Sequence, residues 1–218
     1  MEVYNLKSKK TLILFFALAM VATACSSAAV PCDEVEITTG ENGLPDLDGC
    51  EFTFAVENAY LPFNYIDAET GEAMGWDYDV FNYMGELMNF TPVYVPTAWD
   101  GMIQATADGQ FMIAGDGITI TAERDEIVDF SVGYINLAQR VLVAVGNTEI
   151  TSIEDLKSGD YTVATQKGTT NYDFAVNALG EDKVKAFDDF NFAIQAVISG
   201  DADAVSYTHL TLPTITEV

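Results

Sequence analysis

The sequence is poor in basic residues and has a single histidine, His209. Its 218 residues include 9 lysines and arginines against 34 acids, which gives a formal net charge of −25. Because proteins bind nucleic acid mainly by neutralising phosphates with Lys and Arg, this composition argues against a nucleic-acid partner. One histidine and three cysteines, with spacings that match no zinc motif, also offer few metal ligands. No metal and no cofactor are therefore expected.

Catalytic motifs are also missing. The chain has no Gly-x-Ser-x-Gly turn, no Cys-x-x-Cys pair and no Walker motif, and we therefore expect no enzyme. What the chain does have is 49% hydrophobic residues, with 13 Phe and 10 Tyr among them. That content indicates a folded globular protein, and the length allows one or two domains.

The amino terminus carries three lysines and then an apolar run of 11 residues, Leu12 to Ala22. The run is about half as long as the ~20 residues of a membrane-spanning helix, which favours a secretory signal. Residues before Cys25 resemble the lipobox of bacterial lipoproteins, so residues 1–24 are predicted to be a lipoprotein signal peptide. The alternative is ordinary cleavage at an Ala-x-Ala site. A lipid on Cys25 would anchor the protein to the membrane and would be its only contact with the membrane. The protein is then expected in the periplasm or at the outer face of the cytoplasmic membrane.

The two remaining cysteines, Cys32 and Cys50, form an even pair in an oxidising compartment. We therefore predict a disulfide between them. The residues 25–50 are rich in Ser, Gly and Pro and are interpreted as a tether.

Beyond residue 50, short apolar runs alternate with helical patterns. The runs read as strands at Glu51–Val56, Thr91–Val95, Phe111–Gly115, Arg140–Val145 and Tyr161–Thr165. Helices are predicted after the cap candidate Asp79, from Asp100, from Ser152, near Thr170 and near the cap candidate Asp189, and Thr121 is a cap candidate for a short helix that contains Arg124. This alternation is typical of an α/β fold with mostly parallel sheets.

A short pattern also occurs twice. Ile103-Gln104-Ala105 before Gly109 returns as Ile194-Gln195-Ala196 before Gly200, at an offset of 91 residues. The pattern favours two similar lobes, although helix-Gly-strand is common enough for chance to explain it. We place lobe 1 at residues 51–138 and lobe 2 at residues 139–205, with a ligand cleft between them.

Several loops after the predicted strands carry groups suited to a small polar ligand. Tyr60 and Trp99 offer aromatic faces with polar handles, whereas Phe63 fits core packing better. Arg124 offers a planar fork for a carboxylate, or it could pair with neighbouring acids on a solvated face. The Gln166–Thr170 stretch leads into a helix whose free N–H groups could bind an anion, or it is only a helix cap.

Seven segments of the chain form a recognisable series: the amino-terminal signal, Ala59–Phe63, Gly75–Asp79, Trp99–Ile103, Asp116–Arg124, Val128–Ser131 and Gly168–Thr170. Taken in this order, they resemble the amino-acid-type solute-binding proteins of ABC transporters, bacterial family 3. The resemblance runs from Glu51 to Val205 and implies the two-lobe type 2 periplasmic-binding-protein fold.

The resemblance implies a role for each site residue. Arg124 would bind the α-carboxylate of an amino acid, helped by Thr119 and the helix start at Thr169 and Thr170. The Gly117 carbonyl would accept from the α-ammonium group. Tyr60 and Trp99 would enclose the ligand side chain, Glu57 and Gln166 occupy positions that touch it in some members of the family, and Asp116 is also expected at the ligand site. A permease of an ABC transporter would be the protein partner of this monomeric binding protein.

Two other functions stay open. A cyclohexadienyl-dehydratase-like enzyme on the same fold would use Glu57 or Asp116 as its acid or base. A ligand-sensing domain of a receptor is the third possibility.

The chain departs from the family pattern in two places. Met112 stands where the family usually has Asp. Residues 206–218 do not match the continuation of the family pattern and resemble a non-native tail. The fold is therefore expected to be incomplete at the carboxyl terminus.

Overall fold

The structure, a computed structural model, describes residues 30–208. The predicted signal peptide, Cys25 and most of the predicted tail lie outside these residues. No helix in the described range is long and apolar enough to cross a membrane.

Residues 30–50 are more ordered than the predicted tether. They contain a 3₁₀ helix (Cys32–Glu34) and the antiparallel strands β1 (Thr38–Thr39) and β2 (Pro45–Asp46). Leu47 is 4% exposed and packs on the core of lobe 1 together with the disulfide that joins Cys32 to Cys50, whose Cα atoms are 4.9 Å apart. The tether interpretation does not describe residues 30–50, because the buried Leu47 and the disulfide hold them against lobe 1, and composition alone does not show the burial of Leu47.

Lobe 1 is built on a parallel three-stranded sheet in the order β7-β3-β8. A second, small antiparallel sheet in the order β4-β5-β6 lies beside it. Phe54 of the central strand stacks on Phe81 of the covering helix, with ring centroids 4.2 Å apart. The elements are β3 (Cys50–Val56), β4 (Ala59–Tyr60), β5 (Asn64–Ile66), β6 (Ala73–Met74), α1 (Trp76–Met88), β7 (Phe90–Pro96), α2 (Met102–Ala107), β8 (Ile113–Ala114) and α3 (Ala122–Asp125).

Helix α1 begins three residues before the predicted cap, Asp79. Its first N–H groups, those of Trp76 and Asp77, donate to the carbonyls of Pro62 and Phe63 at 2.9 Å each. The carbonyls of Pro62 and Phe63 thus accept hydrogen bonds that a capping side chain would otherwise accept. A sequence pattern cannot show this contact, so the predicted start was wrong.

Lobe 2 has the sheet order β11-β10-β12-β9, in which the first three strands are parallel and β9 is antiparallel. Its strands begin at Gln139, where the boundary between lobes was predicted. The elements are β9 (Gln139–Val143), α4 (Ile153–Ser158), β10 (Val163–Gln166), α5 (Thr170–Leu179), a 3₁₀ helix (Glu181–Lys183), β11 (Val184–Phe187), α6 (Phe190–Ser199) and β12 (Ala204–Thr208).

Strand β12 continues three residues past the predicted end of lobe 2. Ser206, Tyr207 and Thr208 are buried, and they pair with β9 in register. The hydroxyl of Tyr207 donates to the carbonyl of Leu61 at 2.9 Å, so this strand also contacts lobe 1. Lobe 2 therefore extends to Thr208, while the origin of the predicted tail stays a prediction.

The two lobes share one topology. In each, the first parallel strand lies between the second and the third, as β7-β3-β8 and β11-β10-β12. The repeated Ile-Gln-Ala pattern falls on α2 and α6, the helices that precede the third strand of each lobe. Loops that follow equivalent strands of the two lobes meet at one cleft, which residues of both lobes line.

Candidate functional site

A narrow cavity with a free volume of about 20 Å³ lies between the lobes. Loops that follow β3, β8 and β10 supply most of its wall, as expected for the carboxyl ends of parallel strands. The structure brings all the predicted site residues to this wall, namely Glu57, Tyr60, Trp99, Asp116, Gly117, Thr119, Arg124, Gln166, Thr169 and Thr170. Their roles in binding stay a prediction.

Arg124 is held in the cleft by backbone carbonyls from both lobes. Thr121 caps the short helix α3 through a hydrogen bond of 3.2 Å from the Arg124 N–H. The guanidinium donates to the carbonyls of Thr119 at 2.9 Å and Gly168 at 3.3 Å, and it lies 4.9 Å from the centre of the Trp99 ring. Burial lowers the pKa of Arg124, yet a guanidinium stays charged.

No carboxylate within the described residues lies within 4 Å of Arg124. The alternative of a surface pair with neighbouring acids therefore does not describe this side chain. The guanidinium of Arg124 is half-buried and its protein partners are neutral carbonyls, so it can still bind an anion.

The aromatic wall is continuous across the lobes. Tyr60 stacks on Phe190 of lobe 2 at 5.3 Å and on Phe63 at 5.0 Å. Burial raises the pKa of Tyr60 to about 12, so its hydroxyl stays protonated at neutral pH. Phe63 is 2% exposed, which confirms that it belongs to the core.

Trp99 lies against the loop before α5. Its Nε1 donates to the carbonyl of Gly168 at 3.1 Å, the same carbonyl that Arg124 contacts. Thr169 caps α5, since its hydroxyl accepts from the Tyr172 N–H at 3.2 Å and donates to the Gln166 carbonyl at 2.7 Å. The start of α5 is therefore fixed at the wall of the cavity, which Thr169 and Thr170 line.

Glu57 and Gln166 meet across the cleft. The amide of Gln166 donates to Oε1 of Glu57 at 2.6 Å and to the carbonyl of Asp188 at 3.0 Å. Burial raises the pKa of Glu57 to about 7, although the hydrogen bond from Gln166 opposes the shift. Asp116, which is 4% exposed, faces the same cavity, and burial raises its pKa well above the usual range.

Gly117 is needed for a close approach. Its φ is +53°, and a Cβ there would lie 2.9 Å from the ring of Phe63. The backbone between Asp116 and Ile118 can therefore run along the aromatic wall only with glycine at this position.

The sequence analysis did not identify three residues of the cavity wall, Ile118, Asn171 and Phe190. Asn171 follows Thr170 in the first turn of α5, and Phe190 follows the predicted cap Asp189. Both positions adjoin sites that the sequence did single out, so the loop-end argument could have included them. Ile118 gives no signal of its own, because an isoleucine after a strand is ordinary.

Two lobes of like topology around one polar cleft define the class: this is a two-lobe α/β protein of the type 2 periplasmic fold. The model of the bacterial extracellular solute-binding proteins, family 3, matches residues 52–202. The match covers more than half of the chain, and the chain belongs to this family.

Known proteins of related sequence and structure agree with this assignment. A probable histidine-binding protein of Neisseria gonorrhoeae is 32% identical over 160 residues, which cover 72% of this chain and 58% of that protein. Cyclohexadienyl dehydratase of Pseudomonas aeruginosa is 29% identical, over 68% of this chain and 56% of that enzyme. The chain thus spans little more than half the length of these relatives.

The crystal structure of AncCDT-1, an ancestral amino-acid-binding protein and a precursor of cyclohexadienyl dehydratase, superposes with a TM-score of 0.68. It is 36% identical in sequence, and the match covers 72% of this chain and 70% of that one.

Proposed function

We propose that this protein is the extracytoplasmic substrate-binding component of an ABC transporter and binds an amino acid between its lobes. The observation that carries the proposal is the position of Arg124: its guanidinium lies in the cleft between carbonyls of both lobes, with no acid of the described residues within 4 Å. A cation in this setting favours a ligand with a carboxylate.

The ligand's carboxylate would lie between Arg124 and the start of α5. Arg124 supplies a charged fork, and the first N–H groups of α5 supply donors that the helix itself leaves free. The hydroxyl of Thr119 adds a further donor on the same wall. The α-ammonium group would face the Gly117 carbonyl, with Tyr60 and Trp99 enclosing the ligand.

Closure of the lobes would link binding to transport. Ligand held by lobe 1 gains contacts to Thr169, Thr170 and Gln166 only when lobe 2 is near, so ligand shifts the population towards the closed form. A permease that binds the closed form would then accept the ligand. The predicted signal peptide and a lipid on Cys25 would hold the protein at the outer face of the membrane.

Calorimetric titration of the purified full-length chain with a panel of amino acids tests this function. Arg124→Ala should weaken binding by about 100-fold or more, because the carboxylate would lose a charge-assisted pair in a shielded site. The matched control is Arg140→Ala, since Arg140 is the other arginine of the chain and is exposed on β9. Equal affinity of both variants for every amino acid that binds would overturn the proposal.

An enzyme related to cyclohexadienyl dehydratase is the second candidate. The observation in its favour is Glu57, a cleft carboxyl whose pKa of about 7 suits a general acid or base at neutral pH. Incubation with arogenate or prephenate distinguishes the two functions. Steady product formation that is lost in Glu57→Gln would support the enzyme, and stoichiometric amino-acid binding without product would support the binding protein.

A further inference from the structure

The two threonines at the start of α5 differ in what their hydroxyl groups can still bind. The Thr169 hydroxyl accepts from the Tyr172 N–H at 3.2 Å and donates to the Gln166 carbonyl at 2.7 Å, so its single proton is used within lobe 2. The Thr170 hydroxyl accepts from the amide of Gln139 at 3.3 Å and has no acceptor for its own proton among the described residues. Because Thr170 also lines the cavity, its proton is available to a group in the cavity.

The amide of Gln139 is held in one orientation by Asn171. Oε1 of Gln139 accepts from Nδ2 of Asn171 at 2.9 Å, which leaves Nε2 as the end that reaches Thr170. Asn171 is 3% exposed; its Nδ2 also donates to the hydroxyl of Thr208 at 3.1 Å, and its backbone carbonyl accepts from the Ser206 hydroxyl at 3.0 Å. A turned Gln139 amide would place its N–H groups against those of Asn171, so the observed orientation is the stable one.

Gln139 lies where the chain passes from lobe 1 into lobe 2. It is the first residue of β9, it is half-buried, and it pairs with Thr208, the last residue of β12. Gln139 does not line the cavity, whereas Thr170 and Asn171 do. Side-chain hydrogen bonds thus connect the ends of two strands to the first turn of α5. A hydroxyl group held in this way loses little freedom when it binds a ligand.

A hydroxyl oxygen that accepts a hydrogen bond directs its own proton away from the donor, because the proton and the lone pairs point in different directions. We propose that Gln139 is a positioning residue of the ligand site: its amide orients the Thr170 hydroxyl so that the hydroxyl donates to the ligand's carboxylate beside Arg124. The inference rests on the proposed function, since it concerns the carboxylate of the same ligand. The Thr169 side chain then serves as the helix cap alone.

A double-mutant cycle separates this positioning role from a merely structural one. Thr170→Val removes the hydroxyl at nearly constant shape and should weaken amino-acid binding by about 10-fold or more, since a hydrogen bond to a charged group is lost. Gln139→Met removes the amide at nearly constant length and should weaken binding by about 5-fold. In a chain that already carries Thr170→Val, Gln139→Met should have no further effect, because the amide acts through that hydroxyl. Calorimetry on the full-length chains with the common L-amino acids measures these affinities.

Gln195→Met is the matched control, because Gln195 is exposed on α6. It should leave the affinity unchanged with and without Thr170→Val. Gln139→Glu takes the place of Gln139→Met if circular dichroism shows that the latter does not fold. Its carboxylate can still accept from Asn171 but draws the Thr170 proton to itself, so its effect should again be smaller in the Thr170→Val chain.

The outcomes separate this inference from the proposed function. A Gln139 variant that weakens binding equally with and without Thr170→Val, or that leaves the affinity of the unmodified chain unchanged, would overturn the positioning role and leave the proposed function standing. Absence of binding by every common L-amino acid would overturn the proposed function, and the positioning role with it.

Discussion

Glu57 lies where the central strand of lobe 1 ends, and it meets lobe 2 through the amide of Gln166. Two effects act on its carboxyl in opposite directions. Burial favours the protonated acid, while the hydrogen bond from Gln166 favours the carboxylate, and burial is the larger effect, as a pKa of about 7 shows. The negative charge of Asp189 adds to the upward shift. One side chain at the cleft therefore titrates near neutral pH.

This titration should appear in the stability of the free protein. Between the ordinary pKa of 4.5 and about 7, the folded protein holds a proton on Glu57 that the unfolded chain has released. The free energy of unfolding should therefore fall as the pH rises through this window, by roughly 1–3 kcal/mol from this group. Urea unfolding at several pH values measures the effect, and Glu57→Gln should remove it.

Glu154→Gln is the matched control for that experiment, because Glu154 is exposed and pairs only with Lys157 at 4.0 Å. It should keep the pH dependence of the unmodified chain. A constant difference in stability between the unmodified chain and Glu57→Gln, from pH 4.5 to 7, would contradict the assignment of a raised pKa to Glu57.

At the level of elements, helix starts were predicted well where a side chain caps the helix. Thr121, Ser152 and Asp189 each accept a hydrogen bond from the N–H three residues on, as their sequence patterns indicate. Where tertiary contacts decide, the sequence was insufficient. Strands β4, β5 and β6 have only two or three residues each, too few for an alternating pattern, and they exist because they pair with one another.

The same division holds for the site. Arg124 and Thr169 could be found from the sequence because they follow strands and lie at helix starts, where ligand groups collect. Asn64 could not, because its importance depends on residues up to 52 positions away: its buried amide donates to Asp77 at 2.8 Å and to Asp116 at 2.6 Å. A sequence pattern locates the edge of a sheet but does not show which buried amide bridges two acids.

The disulfide between Cys32 and Cys50 fastens the amino-terminal extension to strand β3. It closes a loop with a sequence separation of 18 residues. A cross-link of that length restricts the unfolded chain by about 3 kcal/mol in the loop-entropy account. The double variant Cys32→Ala/Cys50→Ala should therefore have a free energy of unfolding lower by about 3 kcal/mol. Urea unfolding of the variant and of the unmodified chain measures the difference.

A reductant provides the control for the disulfide. It should lower the stability of the unmodified chain to that of the double variant and leave the double variant unchanged. If the reductant affects both equally, or the double variant is as stable as the oxidised chain, the cross-link does not contribute in this way.

For the whole molecule, the aromatic cluster of Tyr60, Phe190 and Tyr207 joins the lobes at the wall of the cavity, and polar contacts join them as well. The polar contacts are Gln166 to Glu57, Arg124 and Trp99 to the Gly168 carbonyl, Tyr207 to the Leu61 carbonyl, and the exposed pair of Lys167 and Asp100 at 3.5 Å. An exposed ion pair of this kind contributes about 1 kcal/mol or less. Ligand contacts can therefore add substantially to what holds the two lobes together.

The net charge of −25 acts on the molecule as a whole. The described residues contain only three lysine–acid contacts within 4 Å, all with exposed acids, so most acidic side chains there have no cationic neighbour. Repulsion among them opposes the compact state, and dissolved salt screens it.

Raising the salt concentration from about 20 mM to about 500 mM should raise the free energy of unfolding by about 1 kcal/mol or more, which corresponds to about 2–4 °C in Tm for a chain of this size. Thermal unfolding in sodium chloride and in choline chloride measures the effect, and equal rises would identify screening as the cause. A Tm that falls with salt would mean that attractive ion pairs outweigh the repulsion, and a rise in sodium chloride alone would point to a bound sodium ion.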